Sequence, residues 1–478
     1  MGRFVAWGLV LAAFGGPAGA QEESGAGLRA GAAASNITPF LGEPIVGSWD
    51  SPPAAHIHDE LYARCLALDD GRTRLLFVVC DNVGVSREVF DEARGLIEKE
   101  TGVPGAHVLL SSTHTHSATS ARGRGPLGGG PLSDYARFLA RRIADAARRA
   151  LNHLEPARIA WGSVQAPEHL FNRRYFMKPG VAIPNPFGGE DRVLMNPGVW
   201  NPNVDRPAGP VDPELAFLSV RARDGRPLAL LAAYSLHYVG GVPAGHVSAD
   251  YFGVFAERVG ELLGASRHDR PFVGILANGT SGDVNNIDVL GKPERLPPYE
   301  KMRRVADALA EKVARAEREL VGDDRCALGA RMRDLVLRVR KPTAEQLARA
   351  REVLARPPDA KPRHPREAVY ARRALELSEA PEEVSVPLQA VRVGDVGIAA
   401  VPFEVFTEIG LELKRRIPLP RRFTVSLANG SYGYLPTPEQ HALGGYETWL
   451  GTNRVEVGAS VKIVEGLLRL FDELAGPR

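Results

Sequence analysis

Cysteine is scarce in this chain of 478 residues, which contains three: Cys65, Cys80 and Cys326. Three thiols form at most one disulfide bridge, so the sequence excludes a disulfide framework even in an oxidising compartment. The chain also lacks GxGxxG, P-loop and GxSxG motifs, which removes the usual sequence support for dinucleotide, nucleotide and serine-hydrolase sites.

An excess of charge of either sign is also missing. The chain has 59 Lys and Arg against 57 Asp and Glu, a formal net charge of +2, and 44% hydrophobic residues. This balance offers no electrostatic support for nucleic-acid binding and predicts a soluble globular protein. No stretch after the amino terminus approaches twenty apolar residues, so no transmembrane segment is predicted. We expect a small-molecule or lipid substrate and at most transient contact with a membrane surface, and we make no prediction of oligomeric state.

The first twenty residues resemble a secretory signal. Arg3 supplies the positive charge, residues Phe4 to Phe14 form a short apolar run, and Ala18-Gly19-Ala20 fits a small-residue cleavage site. We therefore expect an exported protein, secreted or periplasmic, whose mature chain of residues 21–478 is a single domain.

Apolar runs of strand length alternate with helical patterns along the chain. The runs are Leu75 to Cys80, Val108 to Leu110, Leu228 to Ala233, Phe272 to Ala277, Val396 to Val401 and Phe423 to Ala428. The helical patterns are Ser86 to Glu100, Ser133 to Leu151, Tyr251 to Leu263 and Tyr299 to Leu320. This alternation predicts an α/β fold with a mixed or largely parallel central sheet flanked by helices.

Two segments depart from this alternation. Residues 341–382 contain two helical patterns, Thr343 to Ala355 and Arg366 to Leu377, around Pro357-Pro358. They predict a helical surface insertion whose charges form a solvated face. Residues 174–213 are rich in Pro, Gly and Asn with weak periodicity, and a loop of that length is either functional or poorly ordered.

Two histidines stand directly after one of the predicted strands. His114 and His116 follow the run Val108 to Leu110 at a spacing of two residues, which places both imidazoles on one face of an extended segment. Such a pair either holds a metal ion or only makes hydrogen bonds, and the motif alone leaves both interpretations open.

Four further segments bring polar groups to the ends of apolar runs. They are Tyr234-Ser235-Leu236-His237, Gly279 to Asn286, Val401-Pro402-Phe403-Glu404 and Asn429 to Glu439. Ligands of open α/β sheets gather at the carboxyl ends of strands, so we expect these segments to converge on one site.

These blocks, in this order, resemble the catalytic domain of the neutral, non-lysosomal ceramidase family. The matching residues are Ser112 to Ser117, Phe171-Asn172-Arg173, the region of His237, Gly282-Asp283-Val284, Val401 to Glu404, Tyr434 to Glu439 and Gly445-Tyr446-Glu447, with Leu28 to Pro39 as the opening strand. The resemblance covers nearly the whole mature chain.

The resemblance implies a zinc ion held by His114, His237, Glu404 and Tyr434. Imidazole and carboxylate are ordinary ligands of Zn²⁺, and a catalytic site keeps a position for water. Tyr432 would share a face with Tyr434, so periodicity does not choose between them, and the family register favours Tyr434. A tyrosine here either ligates the metal or donates to a developing oxyanion.

The resemblance also places His116 and Arg173 beside the metal. His116 would hold the substrate oxygen or pass a proton to the leaving amine. For Arg173, a substrate clamp and a structural ion pair remain equal alternatives on the sequence alone.

The sequence departs from the family pattern in two places. Ceramidases typically carry serine after Gly-Asp-Val, whereas this chain has Asn285, which can donate a hydrogen bond to an oxyanion but cannot act as a hydroxyl nucleophile. Ser281 would replace that serine only if the turn points it inward. Full ceramidases also continue into an immunoglobulin-like domain, whereas this chain ends with an amphipathic helical pattern, Val457 to Leu474.

The leading prediction is a secreted zinc hydrolase that cleaves the amide bond of a ceramide-like N-acyl lipid. One alternative is a zinc hydrolase of the same architecture that acts on another amide or an ester. Another is a non-catalytic lipid- or glycan-binding relative.

Overall fold

The computed structural model describes residues 1–2, 27–122, 127, 129–265, 270–357 and 359–475. The predicted signal segment falls, beyond its first two residues, outside the described residues. Within the described ranges, no helix combines the length and apolar character that crossing a bilayer requires.

The larger sheet has eight strands. In chain order they are β1 (Arg29–Asn36), β2 (Tyr62–Asp69), β3 (Arg74–Cys80), β4 (Val108–Ser112), β5 (Glu155–Gln165), β6 (Glu214–Ala222), β7 (Pro227–Tyr234) and β8 (Val273–Asn278). Their order across the sheet is β8-β7-β6-β5-β1-β2-β3-β4. The edge pairs β7/β8 and β3/β4 are parallel, and the five pairs between them are antiparallel.

The prediction of a mixed sheet is therefore confirmed, whereas the largely parallel alternative is wrong. The physical reason is the presence of tight hairpins. Asp70-Gly71 joins β2 to β3, and Asp224-Gly225 joins β6 to β7, with both glycines at positive φ. Turns of this kind reverse the chain within a few residues and force antiparallel pairing.

A second sheet has four strands. They are β9 (Leu328–Arg338), β10 (Glu383–Val393), β11 (Val396–Ala400) and β12 (Arg421–Val425), in that order across the sheet, and the last pair is parallel. One apolar cluster joins the two sheets, because it contains Leu66 and Phe77 of the large sheet together with Ile398 and Phe423 of the second.

The helices cover the outer faces of both sheets. They are α1 (Arg87–Thr101), α2 (Asp134–Asn152), α3 (Asp250–Leu262), α4 (Glu300–Glu317), α5 (Ala344–Ala355), α6 (Glu367–Glu379), α7 (Thr407–Arg416), α8 (Pro438–Leu443) and α9 (Ala459–Ala475). The first four pack on the large sheet, and α7 and α9 pack on the second. Successive side chains of a strand point to opposite faces of the sheet, which explains the layers. Leu66 faces the second sheet, whereas its neighbour Cys65 faces α1 and α2.

The insertion at residues 341–382 lies between the paired strands β9 and β10 and contains the two predicted helices, α5 and α6. Its inner face is not solvated. Tyr370 is fully buried and its hydroxyl hydrogen-bonds with that of Thr452 at 2.6 Å, while Arg366 lies over the ring of Trp49. The expectation that the charges of this segment form only a solvated face is therefore wrong for Arg366, because an aromatic partner distant in sequence covers it.

The predicted long loop at residues 174–213 is built around a small sheet of its own. Its strands are Arg174–Met177, Val193–Met195 and Val204–Pro207, with the first in the middle. This sheet begins one residue after Arg173 and so connects the loop to the candidate site.

Candidate metal centre

His114 follows β4 in a tight turn of the backbone. Its φ of 75° is in the left-handed region, which side chains other than glycine seldom occupy. Its backbone N–H donates to Asn82, and its Nδ1 lies 2.5 Å from the carbonyl oxygen of Val83. A carbonyl oxygen only accepts, so Nδ1 carries the proton and Nε2 presents a lone pair.

His237 follows β7 and is oriented in the same way. Its Nδ1 lies 3.0 Å from the carbonyl oxygen of Ser281, so its Nε2 also presents a lone pair. The two Nε2 atoms are 2.9 Å apart, and both imidazoles are buried. Two lone pairs at this distance repel each other unless a proton or a metal ion lies between them.

Glu404 supplies the third converging group. It lies opposite Tyr434 in a pair of short parallel strands, Glu404–Val405 and Tyr434–Leu435. Its Oε2 is 3.2 Å from Nε2 of His114 and 3.8 Å from Nε2 of His237, and this buried oxygen has no hydrogen-bond partner among the described residues. Burial raises the pKa of this carboxyl, but the electrostatic influence of the neighbouring His114, Tyr434 and Arg122 outweighs it and lowers the pKa to about 2. Glu404 is therefore an anion.

These atoms fit a metal ion. Two oriented imidazole lone pairs and one unpartnered buried carboxylate oxygen converge, and main-chain carbonyls hold the far side of both rings. Metal-ligating histidines are held in this way in proteins generally. Among the described residues, His114, His116 and His237 also form a group whose nitrogens are close enough to share an ion.

His116 differs from the other two histidines. Its Nε2 lies 3.2 Å from that of His114, yet its buried Nδ1 has no hydrogen-bond partner. Its ring stacks on Tyr238 at 3.7 Å between centroids, and a Cβ at Gly47 would lie 2.7 Å from it. Burial, followed by the proximity of His114, holds the pKa of His116 well below its ordinary value, so the imidazole is neutral. No carbonyl fixes its tautomer, which leaves it free to exchange a proton.

Arg173 lies against Tyr434, and a buried carboxylate holds it there. Its Nε donates to Glu447 Oε1 at 2.7 Å, and Arg174 donates to the other oxygen of Glu447 at 2.7 Å. Its guanidinium carbon is 5.3 Å from the ring centroid of Tyr434, and its Nη2 has no hydrogen-bond partner. Arg173 thus forms the structural ion pair on one edge and, among the described residues, keeps an unused donor on the other.

Asn285 lies in the short strand Val284–Asn285, which pairs with Phe171–Asn172 just before Arg173. Its amide nitrogen donates to Asn196 at 2.6 Å, and its amide oxygen accepts from the backbone of Ile287. The Ser281 hydroxyl donates to Asn278 at 2.8 Å, so it is held by a neighbour rather than presented to a substrate.

The geometry distinguishes the two tyrosines. Tyr432 donates from its hydroxyl to the carbonyl of Ser385 and packs on Phe403, whereas Tyr434 lies beside Glu404 and Arg173. A glycine at positive φ, Gly433, turns the chain between them, so they do not share a face as a regular strand would require.

Sequence reasoning assigned no role to several supporting residues. Glu447 and Asp283 lie within motifs that resemble the ceramidase family. The carboxyl group of each was the sign in the sequence that it could support the site. Asp283 accepts from the backbone of Thr407 and from Asn172, which joins the segment of Arg173 to α7. The carbonyls of Val83 and Ser281 carry no side-chain signal, so only the folded chain reveals them.

Comparison with known proteins shows which solved structures share the fold of this chain. No family model matches the sequence, and no curated protein matches it. The neutral ceramidase from Pseudomonas aeruginosa superposes with a TM-score of 0.70 and 17% identity, covering 94% of this chain and 74% of its own. A ceramidase complexed with C2 superposes with a TM-score of 0.70 and 15% identity, covering 94% of this chain and 75% of its own. At these identities the likeness shows a shared fold, which confirms the predicted ceramidase-type architecture.

Proposed function

We propose that this chain is a zinc-dependent hydrolase that cleaves the amide bond of an N-acyl lipid, with ceramide-like compounds as the first substrate class. One observation carries the proposal: the lone pairs of His114 and His237 face each other at 2.9 Å beside the unpartnered oxygen of Glu404. The fold shared with ceramidases supports the choice of reaction.

His114, His237, Glu404 and Tyr434 would hold the ion. When bound, such an ion supplies Lewis acidity and lowers the pKa of a coordinated water to about 7. Imidazole with carboxylate suits zinc, although the same donors also accept other first-row metals.

The protein's own groups then position the substrate and move protons. His116, neutral and without a fixed tautomer, would take a proton and deliver it to the leaving amine. Arg173 would orient the substrate with its unused Nη2, and the Tyr434 hydroxyl would ligate the metal or donate to the carbonyl oxygen. Asn285 would donate its second amide hydrogen to the same oxygen, since Asn196 uses only one.

A second candidate function is a hydrolase of the same architecture that acts on a different amide or an ester. The presence of asparagine at position 285 favours it, because its side chain is tied to Asn196. The convergence of all four presumptive ligands argues against a non-catalytic binding protein. Export remains part of the proposal and is supported by the pattern of residues 1–20.

The test combines metal analysis with a substrate panel. The parent protein and the His114→Ala, His237→Ala and Glu404→Ala variants are compared for bound zinc and for hydrolysis of ceramide, other N-acyl lipids, short-chain amides and esters. We expect loss of zinc and of turnover in each variant. Variants that bind as much zinc as the parent would overturn the site, and turnover confined to short amides or esters would favour the second function.

A further inference from the structure

Four arginines lie beside segments that lead to Tyr434 and have no acidic partner among the described residues. Arg122, Arg366, Arg373 and Arg454 are each half-buried and form what we name the arginine cluster. Within the described part of the chain, none of the four guanidinium groups forms an ion pair. Most other arginines near this region do, as Arg173 and Arg174 do with Glu447.

Arg122 lies beside the segment that orients His114. Its Nε donates to the carbonyl of Gly84 at 3.4 Å, one residue after the carbonyl that holds His114. A Cβ at Gly84 would lie 2.4 Å from Nη2 of Arg122 and 2.9 Å from the hydroxyl of Ser431. Its guanidinium therefore sits between the turn that precedes His114 and the turn that leads to Tyr434.

Arg454 and Arg373 lie together on the other side of Tyr434. Arg454 Nε donates to the carbonyl of Gly451 at 3.3 Å, and a Cβ at Gly433 would lie 3.9 Å from its Cδ. A Cβ at Gly451 would lie 2.8 Å from Cβ of Arg373, whose guanidinium is 5.0 Å from the ring of Tyr370. Arg454 thus lies beside Gly433, the neighbour of Tyr434, and Arg373 lies beside Gly451.

Arg366 marks the outer end of an aromatic path to the centre. Its guanidinium carbon is 3.8 Å from the ring centroid of Trp49, which is 43% exposed. Trp49 meets Tyr446 edge to face at 6.0 Å, and Tyr446 meets Tyr434 at 5.8 Å. Because stacking occupies only the face of a guanidinium, its edge donors stay available.

The charge of the cluster is poorly compensated. Burial, followed by repulsion from Arg122 and Arg373, lowers the pKa of Arg454 to about 10. The carboxylates that attract Arg454 are Glu404, which a bound cation would neutralise, and the exposed Glu376. Half-buried cations kept close together at this cost indicate a ligand that supplies the missing negative charge.

We propose that the arginine cluster binds an oxyanion carried by the substrate, so that the enzyme prefers N-acyl compounds with a phosphate, sulfate or carboxylate close to the amide. This inference rests on the proposed amide hydrolysis for its kinetic part. Arginine suits the role because its planar fork pairs with two oxygens of such groups.

The test uses substrates matched in chain length. N-dodecanoylglycine carries a carboxylate where N-dodecanoylethanolamine carries a hydroxyl. We expect the parent to favour the glycine compound at least tenfold in kcat/KM, with the preference falling as salt rises. A ratio near one would overturn the proposal.

Arg454→Gln and Arg373→Gln are expected to reduce that ratio roughly tenfold each, mainly through KM. Arg372→Gln is the matched control, because Arg372 is the exposed neighbour of Arg373 on α6 and the charge change is identical. If Arg454→Gln does not fold, Arg373→Gln alone still tests the claim. An equal effect of Arg372→Gln would mean that the cluster has no special role.

A binding measurement separates this proposal from the reaction itself. Octyl phosphate and octyl glucoside contain no amide, so their equilibrium binding does not depend on amide cleavage. We expect the parent to bind the phosphate at least tenfold more tightly, and Arg373→Gln to lose that difference, even if no amide is cleaved. Hydrolysis without any such preference would overturn the inference and leave the proposed function standing. Loss of binding to anionic vesicles alone, with soluble substrates unaffected, would assign the cluster to a membrane surface and also overturn it.

Discussion

At the scale of single residues, two main-chain carbonyls determine the tautomers of His114 and His237. The carbonyls of Val83 and Ser281 accept hydrogen bonds from Nδ1–H of His114 and His237, and this leaves both Nε2 lone pairs directed at the same point. His116 has no such partner, and its Nδ1 is left without a hydrogen bond. The same side chain is therefore suited to holding a cation at two positions and to moving protons at the third.

This distinction predicts different outcomes for neighbouring histidine variants. His116→Ala is expected to keep its zinc and to lose turnover by about 100- to 10,000-fold, the usual contribution of a positioned acid or base. His114→Ala is expected to lose both. Zinc content by atomic emission, measured beside the steady-state rate, checks this pair. Loss of zinc from His116→Ala would instead place that residue among the ligands.

The tyrosines supply a second prediction with its own control. Tyr434→Phe removes the hydroxyl beside Glu404 and should lower kcat by about 100-fold, because an oxyanion donor or metal ligand disappears. Tyr432→Phe removes a hydroxyl that donates to the Ser385 carbonyl, outside the candidate centre, so kcat should change less than twofold. Equal losses in both variants would contradict the assignment.

Asn285 allows a prediction about the serine expected from the family pattern. Asn285→Ser breaks the hydrogen bond to Asn196, so it should lower the free energy of unfolding by about 1 kcal/mol without raising kcat. Denaturant unfolding and steady-state rates measure the two effects. A large gain in kcat would show that a hydroxyl at this position takes part in the reaction.

The sequence predicted His114, His237, Glu404 and Tyr434 as a group, and the fold brings all four together. The choice of these four residues followed from the resemblance to the ceramidase family, because the local pattern indicated only that polar segments follow apolar strands. The role of Glu447 was not predictable in the same way. A buried carboxylate between two arginines is a contact across the fold, between residues separated by more than 270 positions.

At the scale of secondary-structure elements, the site is held by short segments clamped to one another. Asn172 pairs with Val284, Asp283 bonds Thr407 at the start of α7, and Glu447 bonds Arg173 and Arg174. Arg173, which lies between two short strands, is therefore fixed by contacts with several elements. Removal of one of these contacts should change the position of Arg173 in the site and lower the stability of the fold.

The contribution of Glu447 to the stability of the fold can be tested by its dependence on pH. Burial raises the pKa of Glu447, but Arg173 and Arg174 outweigh it, so the pKa lies below the ordinary 4.5. A carboxyl with a lowered folded-state pKa stabilises the fold above its unfolded pKa, and that contribution is lost as pH falls through the folded value. Glu447→Gln should cost about 3–5 kcal/mol near neutral pH and much less at the lowest pH where the protein stays folded. Denaturant unfolding across pH 3 to 7 measures this, with the exposed Glu439→Gln as control. A penalty that does not change with pH would contradict the account.

Elements with strong apolar periodicity formed close to their predicted bounds, as α2 and α4 show. The missed elements were long strands such as β5 and β9, where several residues are exposed and the apolar signal is weak. Their existence depends on pairing with distant strands, which a local pattern does not contain. The Asp-Gly turns Asp70-Gly71 and Asp224-Gly225 were the available sign of hairpins, and they account for the antiparallel pairs β2/β3 and β6/β7.

At the scale of the whole molecule, the residues of the site come from a stack of four layers. Helices cover the large sheet, the second sheet packs on its other face, and α7 and α9 complete the stack. His114 and His237 follow strands of the first sheet, whereas Glu404 and Tyr434 follow strands of the second. The centre therefore lies where the two sheets meet, and a metal there would hold both together.

This arrangement predicts that metal removal destabilises the whole fold. Binding to the folded state alone stabilises a protein by about 4 kcal/mol when the free ion is a thousandfold above its Kd. Chelation should lower Tm by several degrees, and zinc should restore it, whereas a His114→Ala, His237→Ala double variant should not respond to either. Differential scanning calorimetry checks the shift, and an equal response of the double variant would contradict it.

The most direct test of the centre is X-ray diffraction from crystals of zinc-loaded protein at the zinc absorption edge. We predict one strong anomalous peak about 2.0–2.2 Å from Nε2 of His114, Nε2 of His237 and a carboxylate oxygen of Glu404. A peak bound by His116 in place of Glu404, or no peak at this position, would contradict the account.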